Sequence, residues 1–111
     1  MNRVLLVSIL SLSQSCASAQ PEVAAVIDGP THESRAELAQ AVSGMLNGAP
    51  VRLADDALTH DSALVIEKAH SGRDLDRPEH FRLVKAGNQC VLVHERTDQR
   101  VTLGATSCRP K

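Results

Sequence analysis

The chain of 111 residues carries 12 basic and 13 acidic side chains, one Phe, no Tyr and no Trp. A net charge of −1 with almost no aromatic rings argues against nucleic acid as a partner, because binding it needs positive charge for phosphates and rings for stacking. The same charge argues against an anionic membrane surface. The length suffices for one small domain.

The N-terminal segment has the layout of a secretory signal peptide. Arg3 precedes an apolar run at 4–12, and small residues follow, ending in Ala-Ser-Ala at 17–19. This order matches the positive, apolar and cleavage regions of such leaders. The apolar run is too short for a membrane span. We therefore predict that residues 1–19 are a signal peptide and that residues 20–111 are one exported α+β domain.

A lipoprotein leader is the alternative, with Cys16 as the lipidated residue. The spacing disfavours it, because Leu12 lies four residues before Cys16 instead of three and Gln14 holds a position that usually takes a small residue. Cleavage after Ala19 removes Cys16 and leaves two cysteines, an even number that suits an oxidising compartment. We predict a periplasmic location, with secretion to the medium as the alternative.

Residues 31–48 form the clearest predicted helix. Thr31 suits the N-cap, Ser34 and Glu37 suggest a capping box one turn later, and Gly48 suits the left-handed position after the helix. One apolar stripe recurs at helical spacing, formed by Leu38, Ala41, Val42, Met45 and Leu46.

Short segments with strand character surround this helix. Residues 23–27 are predicted to be an edge strand or an arm that lies on the domain. The other predicted strands cover 51–54, 63–69, 80–86, 89–96 and 100–108. This order predicts an α+β fold in which one amphipathic helix packs on an antiparallel sheet of four to five short strands.

Two hairpins are predicted near the C-terminus. A two-residue loop at Gly87-Asn88 places Leu83 opposite Leu92 and Phe81 opposite His94.

A three-residue loop at 98–100 would place Cys90 opposite Cys108 and Val93 opposite Ala105. We therefore predict a cross-strand disulfide between Cys90 and Cys108. A redox pair would need Cys-x-x-Cys at the start of a helix, and a structural zinc site would need about four clustered ligands.

Five histidines keep a second function open, that of an envelope protein that binds copper or zinc through surface histidines. They are His32, His60, His70, His80 and His94. The start at His32 resembles a zinc-protease motif, but Ala36 stands where the second histidine would be. His80 and His94 are predicted to point to opposite faces of the sheet. No metal ligand is therefore assigned.

Motifs for catalysis are missing from the sequence. It contains no Gly-x-Ser-x-Gly and no glycine-rich phosphate loop. The aspartates at 55, 56 and 61 lack the spacing of a calcium loop. We predict a protein that is not an enzyme and that needs no cofactor.

The best candidate for activity is a surface that binds an unknown protein or a second copy of the chain. It combines the charged loop 70–79 with the second apolar face of the sheet. The residues assigned to this surface are Arg73, Asp74, Asp76, Arg77, Val84, Val91 and Val93. The alternative is that residues 23–27 cover this face within the domain.

Overall fold

The computed structural model describes residues 21–67 and 77–111, which form one helix and six strands. The elements are β1 (Glu22–Ile27), α1 (His32–Met45), β2 (Ala63–Ile66), β3 (Glu79–Ala86), β4 (Gln89–His94), β5 (Gln99–Leu103) and β6 (Cys108–Pro110). The strands make one antiparallel sheet in the order β5-β4-β3-β1-β6, and β2 pairs with β3. The predicted α+β fold, with one helix on an antiparallel sheet, is confirmed. The predicted signal peptide lies outside the described residues.

Helix α1 begins with the predicted cap. The Thr31 hydroxyl accepts a hydrogen bond from the Ser34 backbone N–H at 3.0 Å, and the Ser34 hydroxyl accepts one from the Thr31 N–H at 2.8 Å. This reciprocal pair is the capping box, with Thr31 as the N-cap and Ser34 as the third helical residue. The predicted box, one turn later, had paired Ser34 with Glu37. After the helix, Asn47 and Gly48 both have positive φ, which ends the helical path.

One face of the sheet forms the main core under α1. Alternation along β3 and β4 places Phe81, Leu83 and Leu92 on this face, because successive strand residues point to opposite sides. The helix contributes its buried stripe, Leu38, Val42 and Met45. All these side chains are nearly inaccessible to solvent, so the helix and sheet share one apolar layer.

The hairpin between β3 and β4 has the predicted register. Leu83 lies opposite Leu92 and Phe81 lies opposite His94. Gly87 has a φ of 62°, whereas Asn88 does not have positive φ. This combination fits a type II′ turn, in which glycine takes the first central position.

The predicted register of the next hairpin is wrong. Cys90 lies opposite Leu103 and Val93 lies opposite Arg100. The connecting loop has four residues, 95–98, and Asp98 closes it by donating its N–H to the His94 carbonyl at 2.7 Å. Relative to the predicted pairing, β5 is shifted along β4 by an odd number of residues. Such a shift moves each side chain to the other face, so Leu103 lies on the face that carries Cys90, under the helix.

Two segments differ from their predicted roles. Residues 51–54 form no strand, and the chain there leads into the turn at 55–60. Residues 23–27 are neither an arm nor an edge strand, because β1 pairs with β3 through residues 22–24 and with β6 through 25–27. They therefore do not cover the second face of the sheet.

The second face carries a small apolar cluster made of Val84, Val91 and Val93. Register places Arg100 beside Val93 and Glu22 beside Ala86 on this same face. The side chains of Arg100 and Glu22 form an ion pair, so they meet above the strands that separate β5 from β1. This pair therefore lies across the valine cluster.

Candidate functional site

The residues predicted for a binding surface are not brought together as exposed groups. Val84, Val91 and Val93 are at most 8% exposed, so they offer little area to a partner. Arg77 is exposed. Arg73, Asp74 and Asp76 lie outside the described residues. The exposed parts of 21–67 and 77–111 offer a different candidate surface.

Among the described strands, β2, β5 and β6 each pair on one side only, and β2 is the best candidate because β5 and β6 carry Arg or Pro. It runs antiparallel to β3, with Leu64 opposite Phe81 and Val65 opposite His80. Within the part of the chain that the structure describes, no strand pairs with its outer edge. The neighbouring strand β1 differs in this respect, since it has a partner on each side.

The direction of the backbone groups on β2 follows from one hydrogen bond. The Leu83 N–H donates to the Ser62 carbonyl at 2.8 Å, immediately before the strand. Backbone groups alternate sides along a strand, so Ser62, Leu64 and Ile66 direct theirs toward β3. Ala63 and Val65 therefore direct their N–H and C=O groups outward, away from β3. Such groups are a template for a further strand.

The side chains of β2 suit this interpretation. Leu64 and Ile66 are half-buried and pack against the core, while Ala63 and Val65 are exposed on the other face. Val65 is 48% exposed, and among the described residues Val23 is the other large apolar side chain with comparable exposure, at 45%. Apolar β-branched residues favour the extended conformation that strand pairing needs.

The sequence around β2 carries mainly negative charges, and Arg82, which lies opposite Ala63 on β3, is 3.6 Å from Glu95. Between Arg52 and Lys68, every charged side chain is acidic, namely Asp55, Asp56, Asp61 and Glu67. Asp61 pairs with the Lys111 ammonium at 3.2 Å. Asp61 precedes β2 and Glu67 follows it in the chain, so both ends of the exposed edge carry a carboxylate.

A buried polar network forms a second distinctive site, below β2. Glu79 is 4% exposed and His94 is 1% exposed. Their side chains meet at 2.6 Å, between His94 Nε2 and Glu79 Oε1. Arg96 donates to both carboxylate oxygens, at 3.2 Å from Nε and 3.0 Å from an Nη. Register places Glu79 opposite Ile66, so the network underlies the C-terminal end of the edge strand.

The protonation of this network follows from its donors. Burial alone would raise the pKa of Glu79, but hydrogen bonds from Arg96 and His94 and their positive charge lower that pKa to about 2. An ionised carboxylate only accepts hydrogen bonds, so Nε2 of His94 carries the hydrogen. The His94 ring stacks on Phe81 with centroids 4.7 Å apart, which fixes its plane.

Thr97 extends the network, since its hydroxyl lies 3.0 Å from His94 Nδ1. Hydroxyl, imidazole and carboxylate then occur in the order that nucleophilic hydrolases use. Here the same hydroxyl oxygen also accepts the Gln99 N–H at 3.2 Å, which ties it to the turn. These contacts join β3 to the turn at 95–98, and stabilisation of that hairpin accounts for each of them.

This network of Glu79, His94, Arg96 and Thr97 was not predicted from the sequence. The sequence indicated a solvated surface position for His94, which is wrong, and a place in a charged loop for Glu79. The signal was available in the alternation, because His94 shares its face with Phe81 and Leu92. A polar residue in such a row needs a hydrogen-bonded partner when it is buried.

The other described histidines do not join a metal centre. His80 is exposed on the face opposite His94, as predicted, and His32 and His60 are exposed elsewhere. Within residues 21–67 and 77–111, no group of three or more His, Cys, Asp and Glu side chains is arranged to hold a metal ion. His70 lies outside these ranges.

The described ranges also contain no helix with the length and apolarity that crossing a membrane requires. Comparison of the chain with protein-family models, with curated proteins and with solved structures found no match in any of the three. The site must therefore be interpreted from its own chemistry.

Proposed function

We propose that this chain is an exported, non-enzymatic protein-binding module that captures an extended segment of a partner on the outer edge of β2. The observation that supports this proposal is the outward direction of the Ala63 and Val65 backbone groups on a strand with one neighbour among the described strands. A segment that adds to a sheet edge gains main-chain hydrogen bonds there.

The composition of β2 strengthens the proposal. Exposed edge strands usually carry devices that prevent pairing with other chains, such as lysine, proline, a bulge or an inward charge. Strand β2 reads Ala-Leu-Val-Ile, so its shortness, four residues, is the one such device it has, and it contains no lysine, proline or charge. An apolar edge without charged or proline residues on a small domain is a liability unless a partner uses it.

The proposed location is the periplasm. Disulfides persist in oxidising compartments, and Cys90 and Cys108 are joined. Together, this disulfide and the leader-like sequence at 1–19 support the proposal that the protein is exported. A non-enzymatic role is supported by the hairpin contacts of Glu79, His94 and Thr97, which account for their polar groups without a substrate.

The test places a photoreactive p-benzoylphenylalanine at position 65 of the full chain, expressed in the organism that encodes it. The control places the same group at position 23, which is comparably exposed and lies opposite Lys85 where β1 pairs with β3. We expect a protein adduct from position 65, recovered in the periplasmic fraction, and none from position 23. Equal adducts at both positions, or none at 65, would contradict the proposal.

A further inference from the structure

We infer that the occupant of the β2 edge is an extended segment with a short apolar core flanked by Lys or Arg, supplied by a different protein. This inference depends on the protein-binding function proposed above and specifies the chemistry of the partner. It follows from the backbone pattern of the edge, from the charges at its ends and from the cost of pairing two copies.

The backbone pattern defines the length of the core. Ala63 and Val65 present two N–H and two C=O groups outward, so a partner strand forms its hydrogen bonds along this stretch. Beside them, the exposed Val65 side chain offers an apolar contact to the cross-strand residue of the partner. Aliphatic and β-branched residues make the best pairs at such positions.

The charges define what flanks the core. Glu67 follows the strand, and Asp61, which already pairs with the Lys111 ammonium at 3.2 Å, precedes it, so a strand laid along the edge meets a carboxylate near each end. Opposite charges across a strand pair are favourable, and like charges directly opposite are unfavourable. A partner with a basic residue on each side of its apolar core therefore matches this edge in either direction.

A second copy of the chain satisfies these charges less well than a basic segment does. Two antiparallel registers of β2 against β2 match the outward groups, with either Ala63 or Val65 opposite Val65 of the other copy. The first register brings Asp61 opposite Glu67 at both ends, so like charges face each other. In the second, Glu67 lies opposite Ala63 and gains no opposite charge. A foreign segment with basic flanks supplies that charge, and the second copy is the competing occupant that sedimentation tests.

A binding experiment with defined peptides tests this inference. The probe is the labelled peptide KKTVTIVTKK, and its matched control is EETVTIVTEE, which keeps the core and reverses the flanks. We expect fluorescence anisotropy to show the basic peptide binding the full chain at least about tenfold more tightly, with the difference shrinking in high salt. Equal affinity, or tighter binding of the acidic peptide, would overturn the inference.

A variant pair locates the binding on the edge. Val65→Pro removes an outward N–H that β3 does not use, and edge strands tolerate proline at such a position. Val65→Lys adds a positive charge at the edge, and Val23→Lys adds the same charge at an equally exposed valine elsewhere. We expect both position-65 variants to lose at least about tenfold in affinity for the basic peptide and Val23→Lys to lose less than about twofold.

Circular dichroism and urea unfolding show whether each variant remains folded, and Val65→Lys provides the test if Val65→Pro does not fold. Retained binding in a folded position-65 variant would overturn the edge site.

Sedimentation and the crosslinking experiment separate this inference from the proposed function. A dimer that forms at micromolar concentration and is lost in Val65→Lys would make the second copy the occupant and overturn the inference. A foreign protein crosslinked at position 65 whose contacting segment is acidic would overturn the partner chemistry and leave the protein-binding function standing.

Discussion

Cys90 on β4 and Cys108 on β6 are joined by a disulfide although their strands are not neighbours, since β3 and β1 lie between them in the sheet. Their Cα atoms are 6.0 Å apart. In a flat sheet neighbouring strands lie about 4.8 Å apart, so β4 and β6, three strand spacings apart, would be beyond the reach of a disulfide. The short distance between the two cysteines therefore requires the sheet to curl. The bond therefore holds β6 back over the helix-covered face.

Removal of this bond should destabilise the domain. Replacing both cysteines with alanine releases a loop of about 19 residues, for which the chain-entropy model gives a loss of about 3 kcal/mol in the free energy of unfolding. Urea unfolding followed by circular dichroism measures this loss. The intact wild-type mass should be two hydrogens below the reduced mass, and quantitative thiol labelling of the native protein would contradict the bond.

The stability of the domain should depend on pH through Glu79. Its folded pKa of about 2 lies below the ordinary value of 4.5, so its contribution is fully present above pH 4.5 and is lost as pH falls toward 2. A shift of this size corresponds to about 3 kcal/mol.

We expect Glu79→Gln to lower the free energy of unfolding at pH 7 by about 3 kcal/mol. Between pH 4.5 and 2, the free energy of unfolding of this variant should change less with pH than that of the wild type. Glu95→Gln is the matched control, because Glu95 is an exposed carboxylate on the adjoining turn, 3.6 Å from Arg82. It should change stability by less than about 1 kcal/mol. Parallel pH curves for Glu79→Gln and the wild type would contradict the role of Glu79.

Glu37 should stabilise the loop between β5 and β6. Its carboxylate accepts the Ala105 backbone N–H at 2.9 and 3.0 Å and the Thr106 hydroxyl at 2.8 Å. Replacing Glu37 with glutamine keeps the shape and removes the charge that strengthens these bonds. We expect a loss of about 1 to 2 kcal/mol, measured by urea unfolding.

Glu33→Gln provides the comparison for Glu37, because Glu33 is exposed in the first turn of the same helix and interacts there with the helix dipole. Glu33→Gln should lower the free energy of unfolding by about 0.5 kcal/mol. Hydrogen exchange of the Ala105 amide should accelerate in Glu37→Gln and remain unchanged in Glu33→Gln. Equal exchange in both variants would show that Glu37 does not hold the loop.

Export should leave a defined N-terminus. Cleavage after Ala19 yields a protein that begins at Gln20, because the small residues at 17 and 19 fit the signal-peptidase pattern. Mass spectrometry of the protein from a periplasmic fraction measures this directly. Replacing Ala19 with a bulky residue such as Phe should block processing. A protein that retains residues 1–19 in that fraction would contradict the prediction.

Local patterns in the sequence determined much of the fold. The apolar stripe from Leu38 to Leu46 and the Thr31 cap specified the helix, because both depend only on residues within one or two turns. Gly87 specified the β3–β4 hairpin and its register for the same reason. The predicted disulfide between Cys90 and Cys108 is confirmed, but the hairpin register from which it was also inferred is wrong, so the supporting signal was the count of two cysteines after the predicted leader.

Tertiary structure decided what depends on residues far apart in the chain. The four-residue turn at 95–98 fixed the β4–β5 register, and β6 then left the hairpin to pair with β1. The burial of His94 beside Glu79 and the covering of Val93 by Arg100 with Glu22 arise from that arrangement. Among the described strands, the outer edge of β2 has no partner because β1 leaves β3 after Ala24 and pairs with β6, while β2 takes the other half of β3. Local preferences carry no information on which strand receives a second neighbour.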